Sequence, residues 1–262
     1  MRLLFTSCLI AVTLLLAGCP SRNPNGLSNS NADPNSNKSV IPAPPPPDIK
    51  PKETVDPAFK ACNPYFPLVP GSQTKYTLVY SSGLVANVTV VVDGDTDNGK
   101  PVYIETIRII DKDGGVNKLE TRTTKYACDG ERVQIISMSS DNKAEDNETK
   151  MEAAFSGTAL AMLDTPSLKP GARWSYAFTQ TFRVPNRPPV SGGKSTPIEF
   201  QVVGTETVAV PAGSFKALKV LRKTTGHEIN EYYARGIGLV KRESDDGTRW
   251  ELKEFSGLKA AE

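Results

Sequence analysis

A mainly β protein, antiparallel and built from two pseudo-repeated β units that share a core, is what this 262-residue chain predicts, with at most one short helix. Three observations carry that prediction. Apolar and polar residues alternate over short runs rich in β-branched and aromatic side chains, the pattern of strands with one buried face. Turn-forming Asp, Asn, Ser and Gly separate those runs at close intervals. Finally, the second half of the chain echoes the first at a nearly fixed offset.

Taken in order, the first strands place Tyr76, Leu78 and Tyr80 on one face and Val88, Val90 and Val92 across a Ser81-Ser82-Gly83 turn, which predicts a hairpin. Val102 to Ile110, Lys118 to Tyr126 and Arg132 to Met138 extend it into an antiparallel meander, with turns at Asp111 to Gly115 and at Asp129-Gly130. Asp141 to Lys150 is polar and reads as a loop. Met151 to Leu163 is the one helix candidate, weakened by Gly157. A second strand series opens with Trp174, Tyr176, Phe178 and Phe182, and continues through Ile198, Phe200 and Val202 to a Pro211-Ala212-Gly213 turn. Phe215 to Arg222, Glu228 to Tyr233, Leu239 to Glu243 and Arg249 to Phe255 follow. Asp245-Asp246-Gly247 supplies another hairpin turn.

The echo is specific in order as well as composition. Leu68-Val69-Pro70-Gly71 with Tyr76 and Leu78 matches Leu168-Lys169-Pro170-Gly171 with Tyr176 and Phe178 at an offset of 100. Tyr126-Ala127 with Val133-Gln134 matches Tyr233-Ala234 with Val240-Lys241 at an offset of 107. The units are expected at 59–147 and 148–262.

The second unit carries two signatures, Val208-Ala209-Val210-Pro211-Ala212-Gly213-Ser214-Phe215 and Tyr232-Tyr233-Ala234-Arg235-Gly236-Ile237-Gly238-Leu239-Val240-Lys241. With them the chain resembles an uncharacterised family of exported bacterial β-domain proteins, clearly over Leu168 to Phe255 and more faintly over Tyr65 to Ser139. The resemblance implies a curved antiparallel sheet around an apolar interior, similar to the lipoprotein-carrier half-barrels, and it brings no catalytic residue. Pro-Ala-Gly reads as a tight turn before an aromatic anchor. The Gly236-Ile237-Gly238 run permits a bulge or close backbone approach; it lacks the third glycine and following helix of a dinucleotide fingerprint.

Ahead of the β units, Arg2 and the apolar stretch Leu3 to Leu16 have signal-peptide length, too short to span a bilayer comfortably. The stretch ends in Leu16-Ala17-Gly18-Cys19, which resembles the bacterial lipobox. That resemblance implies removal of residues 1–18, lipidation of Cys19 with acyl groups such as palmitate, and a membrane anchor that adds no transmembrane helix. Pro20 stands where inner-membrane retention in enteric bacteria uses aspartate, so an outer-membrane address is expected, facing periplasm or cell surface. Residues 19–58 hold ten of the 21 prolines and, beyond Cys19, repeated Asn and Ser with no aromatic residue. Such composition buries too little apolar surface to offset chain ordering, so a tether is expected, stiffened at Pro42 to Pro47 by polyproline II.

Two cysteines then remain, Cys62 and Cys128, an even pair in an oxidising compartment, and a disulfide between them is predicted. A thiol nucleophile lacks CxxC spacing and a nearby histidine.

Composition excludes several chemistries. With 31 basic and 29 acidic residues the net charge is +2, which provides no field for nucleic acid. The single histidine, His227, does not support multi-histidine metal centres and reads as an exposed strand residue. No Gly-x-Ser-x-Gly elbow occurs. Asp93, Asp95 and Asp97 alternate as a calcium loop would require, yet Asn98 and Ile104 occupy the places of its glycine and bidentate glutamate; a solvated turn is the better reading. No cofactor is expected. The expected role is a non-enzymatic envelope lipoprotein that binds an apolar or lipid-like ligand in a concave sheet, with a structural or assembly module binding an envelope protein as the alternative.

Overall fold

The computed structural model describes residues 62–260, apart from 114–115, 145–146, 156, 186 and 195–196. The expected leader, Cys19 and the expected tether lie outside the described residues, so the lipidation expectation is not addressed by the fold. Among the described residues, fifteen strands form one antiparallel sheet. They are β1 Gln73–Val79, β2 Val85–Asp97, β3 Lys100–Asp113, β4 Val116–Asp129, β5 Arg132–Ala144, β6 Asn147–Phe155, β7 Ala159–Met162, β8 Arg173–Tyr176, β9 Phe178–Arg183, β10 Val190–Lys194, β11 Ile198–Val210, β12 Gly213–Thr224, β13 His227–Ala234, β14 Gly238–Ser244 and β15 Arg249–Ser256. Among the described residues the helical content is a single three-residue 3-10 turn, Thr165–Ser167.

Across the sheet the order is β10-β9-β6-β5-β4-β3-β2-β1-β15-β14-β13-β12-β11-β8, with β7 paired to β5. The run β6-β5-β4-β3-β2-β1 and the run β15-β14-β13-β12-β11-β8 are therefore the same six-strand meander laid twice in one direction, joined where β1 pairs with β15. The hairpin β9-β10 from the second half adds to β6, so the halves interlock. The repeat extends to individual hydrogen bonds. Gly71 N–H donates to Val92 O (2.8 Å) and Val92 N–H to Ser72 O (3.1 Å); Gly171 N–H donates to Val202 O (2.8 Å) and Val202 N–H to Ala172 O (2.9 Å). Each Pro-Gly turn thus docks its unit's first strand on the second, which gives the sequence echo a physical cause.

Two sequence expectations are corrected. Met151 to Leu163 is not a helix: it forms the end of β6 and β7, where Met151 and Ala153 alternate into the core and Gly157, at φ +83°, breaks the chain between strands. Pairing of β6 with both β5 and β9 overrides the modest local helix preference. Asp141 to Lys150 is not a loop either. It is the far end of the β5-β6 hairpin, with Asp141 opposite Lys150. The polar residues mark a ribbon that runs beyond the core, a setting in which strands need no apolar face.

The core has two parts. One gathers residues from both sheet ends, including Met162, Phe178, Trp174, Phe200, Val133 and Val202, which shows how far the sheet curls. The other lies around the β1-β15 junction and includes Tyr76, Leu78, Val88, Trp250 and Leu252. The β11-β12 hairpin folds over this second part: Ala212 N–H donates to Leu252 O (3.0 Å), and Phe215 meets Phe255 edge-on at 6.3 Å. The Pro-Ala-Gly signature is thus a turn that caps the junction.

A short strap precedes β1 and ties the two halves. Cys62 is joined to Cys128 at the end of β4. The Asn63 side-chain amide donates to Glu131 O (2.9 Å) and Leu163 O (2.8 Å), and Gly236 N–H donates to Pro64 O (2.6 Å). Phe66 packs between Tyr126 and Tyr233, at 5.4 and 6.3 Å, the equivalent tyrosines of the two meanders. The second glycine of the Gly-Ile-Gly run is required here. Gly238 has φ +88°, and a Cβ on it would lie 3.2 Å from Pro67 Cδ. Gly238→Ala is expected to cost more than about 1 kcal/mol through backbone strain, measured as a lower urea midpoint with an unchanged slope.

Candidate ligand-binding site

Strand parity builds the site. Along β4, Glu120, Arg122, Thr124 and Tyr126 alternate to the same buried face, as do Ile229, Glu231 and Tyr233 along β13. On β12 the apolar series Leu218 and Val220 ends in Arg222, and on β14 Val240 is followed at the same parity by Arg242. Curling of the sheet brings Arg122, Thr124, Tyr126, Arg222, Glu231, Tyr233 and Arg242, with Glu105 of β3, Tyr76 of β1 and Tyr176 at the end of β8, around one partly open cavity of about 160 Å³. Its apolar wall includes Phe66, Val90, Ile107, Ile135, Met138 and Trp250.

Three guanidinium groups face this space, each held differently. Arg222 Nη1 lies 3.3 Å and Arg242 Nη2 2.9 Å from the same oxygen of Glu231, Oε1. Tyr233 donates its hydroxyl to the other oxygen, Oε2, at 2.7 Å. Arg242 also lies over the Trp250 ring, 4.8 Å from its centroid, where cation–π attraction fixes the guanidinium plane. In the first meander Arg122 is paired with Glu120, to which Ser140 also donates (3.4 Å). On these three arginines four nitrogens buried from solvent, Nη1 of Arg122, Nε and Nη2 of Arg222 and Nε of Arg242, have no hydrogen-bond partner in the protein, and neither do the carboxylate oxygens Glu120 Oε2 and Glu231 Oε1.

Burial raises the Glu231 carboxyl, but Arg222 and Arg242 outweigh it and hold the group below the usual carboxylate range. Glu105 behaves in the opposite way. Burial pushes its carboxyl up, and neither the hydroxyl of Tyr126 (3.1 Å) nor Arg242 offsets that push. Burial likewise lifts Tyr176 to about 12. A carboxyl whose folded pKa exceeds its unfolded value loses folding stability as pH rises through the gap between them. Glu105→Gln, which keeps an acceptor for Tyr126, is therefore expected to raise Tm at pH 7.5 and leave it nearly unchanged at pH 4, as read by differential scanning calorimetry.

The residues singled out in the sequence fall elsewhere. Asp93, Asp95 and Asp97 share one exposed side of the β2 extension, which ends in a tight turn with Asn98 at φ 50° and Gly99 at φ 74°. Among the described residues no group of three His, Cys, Asp or Glu side chains converges as a metal would need. His227 lies outside the cavity, 3.3 Å from Asp245 at a hairpin end. Cys62 and Cys128 brace the strap that covers the cavity rather than lining it. The charged wall itself was not anticipated. Its signal was available as charges at inward parity, Arg222 after Leu218 and Val220, and Glu231 between Ile229 and Tyr233.

A family model described as DUF3108-like matches residues 71–249, more than half of the chain and every charged residue of the cavity wall. The chain belongs to the DUF3108-like family. The DUF3108-like span starts after the strap, which leaves Cys62 and Phe66 outside the match. Its sheet is also similar to a solved structure from Bacteroides fragilis described as a candidate exported protein with a YmcC-like fold, at 18% identity and a TM-score of 0.48, covering 74% of this chain and 100% of that one. No curated protein matches the DUF3108-like chain in sequence. Among the described residues no helix is long and apolar enough to cross a membrane.

Proposed function

We propose that this protein is a lipid-anchored binding protein of the bacterial cell envelope, held at the outer membrane through Cys19, that acts by binding rather than by catalysis. Its occupant is an apolar or lipid-like molecule seated within the curled sheet. The observation that carries this reading is the cavity, walled by Phe66, Val90, Ile107, Ile135, Met138 and Trp250 and covered by a cross-linked strap. Small-molecule sites are concave and mostly apolar with a few fixed polar groups, and this cavity has that make-up. The Cys62–Cys128 bridge accords with an oxidising compartment.

The test uses the folded protein, delipidated by denaturation and refolding, and the uncharged fluorophore N-phenyl-1-naphthylamine. Saturable binding of one equivalent is expected, with energy transfer from Trp250, and Ile107→Trp should block it by filling the cavity. Absence of saturable binding to protein with native circular dichroism would overturn the reading. Attachment through Cys19 is checked separately: metabolic labelling with palmitate should mark the wild type and not Cys19→Ala.

A further inference from the structure

The arginines inside the cavity call for more than an apolar occupant. We infer that the ligand is a single-chain amphiphile with an oxyanion head, a carboxylate or phosphate, which Arg122, Arg222 and Arg242 hold at the charged wall while its chain lies along the apolar one. This deepens the proposed function and rests on it.

Three observations support the inference. First, the Arg122 and Arg222 side chains are only 9% and 5% exposed, yet buried nitrogens on each lack a protein partner. A buried donor without a partner is costly, so such groups in a native site are usually satisfied by water or by a ligand. Second, the charges do not balance within ion pairs. Three guanidiniums share two paired carboxylates, Glu120 and Glu231, while the third carboxyl, Glu105, is hydrogen-bonded by a phenol. Third, the guanidiniums are held in place. Glu231, Tyr233 and the Trp250 face restrain Arg222 and Arg242, and a planar fork so restrained suits bidentate recognition of an oxyanion. Phe66, Ile135 and Met138 in the same lining are apolar and suit contact with an alkyl chain.

Three ten-carbon probes that differ only in the head group test this by isothermal titration calorimetry on the refolded protein: decanoate, decyl phosphate and decanol. At least one of the two anions should bind tenfold or more tightly than decanol, and the tighter anion identifies the head group. Arg222→Met should remove that advantage, so that the tighter anion and decanol bind the variant within twofold of each other. Should Arg222→Met fail to fold, the pair replacement Glu120→Gln with Arg122→Met, which removes both charges of one ion pair, should still narrow the gap at least threefold. Equal binding of all three probes would overturn the anionic head while leaving the binding function intact. Binding of none of them, nor of the neutral fluorophore, would overturn both.

Discussion

Glu231→Gln is expected to lower stability by about 3–5 kcal/mol, the range for removing one partner of a buried ion pair, and to lower Tm by roughly 10 °C in a domain of this size. Glu231 is 1% exposed and is the shared counter-ion of Arg222 and Arg242. Its amide analogue keeps the shape but leaves two guanidiniums facing each other in a site from which water is largely excluded. The pH dependence gives a second readout. Despite its burial, the arginines hold the Glu231 carboxyl below its unfolded value, so its stabilisation is fully present above the ordinary carboxylate range. That stabilisation is lost as pH falls through the depressed folded value. Wild type should therefore lose Tm steeply toward low pH, and Glu231→Gln should follow a shallower curve that meets it in acid. Coincident melting of the two proteins at pH 7 would show that Glu231 does not organise the cluster.

Removing the disulfide has a comparable effect by a different route. Cys62 and Cys128 are separated by 66 positions, and closing a loop of that length restricts the unfolded chain by about 4 kcal/mol at most in the chain-entropy model. The double replacement Cys62→Ala with Cys128→Ala should lower the urea midpoint accordingly, and reductant should shift the wild type to the same midpoint while leaving the double variant unmoved. A local consequence accompanies the global one. The strap held by Cys62 carries Phe66, Pro67 and Leu68 to the cavity, so fluorophore release should accelerate in the double variant under conditions where it is still folded. Unchanged release would mean that Asn63 and the Pro64 contact hold the strap unaided.

Much of the architecture was legible because alternation is a local signal. Tyr76, Leu78, Val88 and Val90 occupy the buried face that their spacing predicts, and the Pro-Gly echo corresponds to equivalent hydrogen bonds in both meanders. Two segments were misread for different reasons: Asp141 to Lys150 closes on itself as the polar end of the β5-β6 hairpin, where no apolar alternation marks the strands, whereas Met151 to Leu163 takes its form from pairing with β9 and β5, of which local composition carries no record. The cavity was harder still. Arg122, Arg222, Glu231 and Arg242 each resemble ordinary surface charges when read singly, and only the curl of the sheet brings residues from four strands to one wall. The acidic residues that did attract notice, Asp93, Asp95 and Asp97, follow one another along a single exposed strand end and so never converge.

The pairing of β1 with β15 has a temporal meaning. Gln73 leaves the ribosome or the export channel long before Arg249, so the first meander must wait, with one flank of backbone donors and acceptors unanswered, until β15 follows. Contacts that close so long a loop form slowly. β15 is thus the kinetic latch of the sheet, and a chain that stops before Arg249 should be far more prone to aggregate than one that includes Ser256.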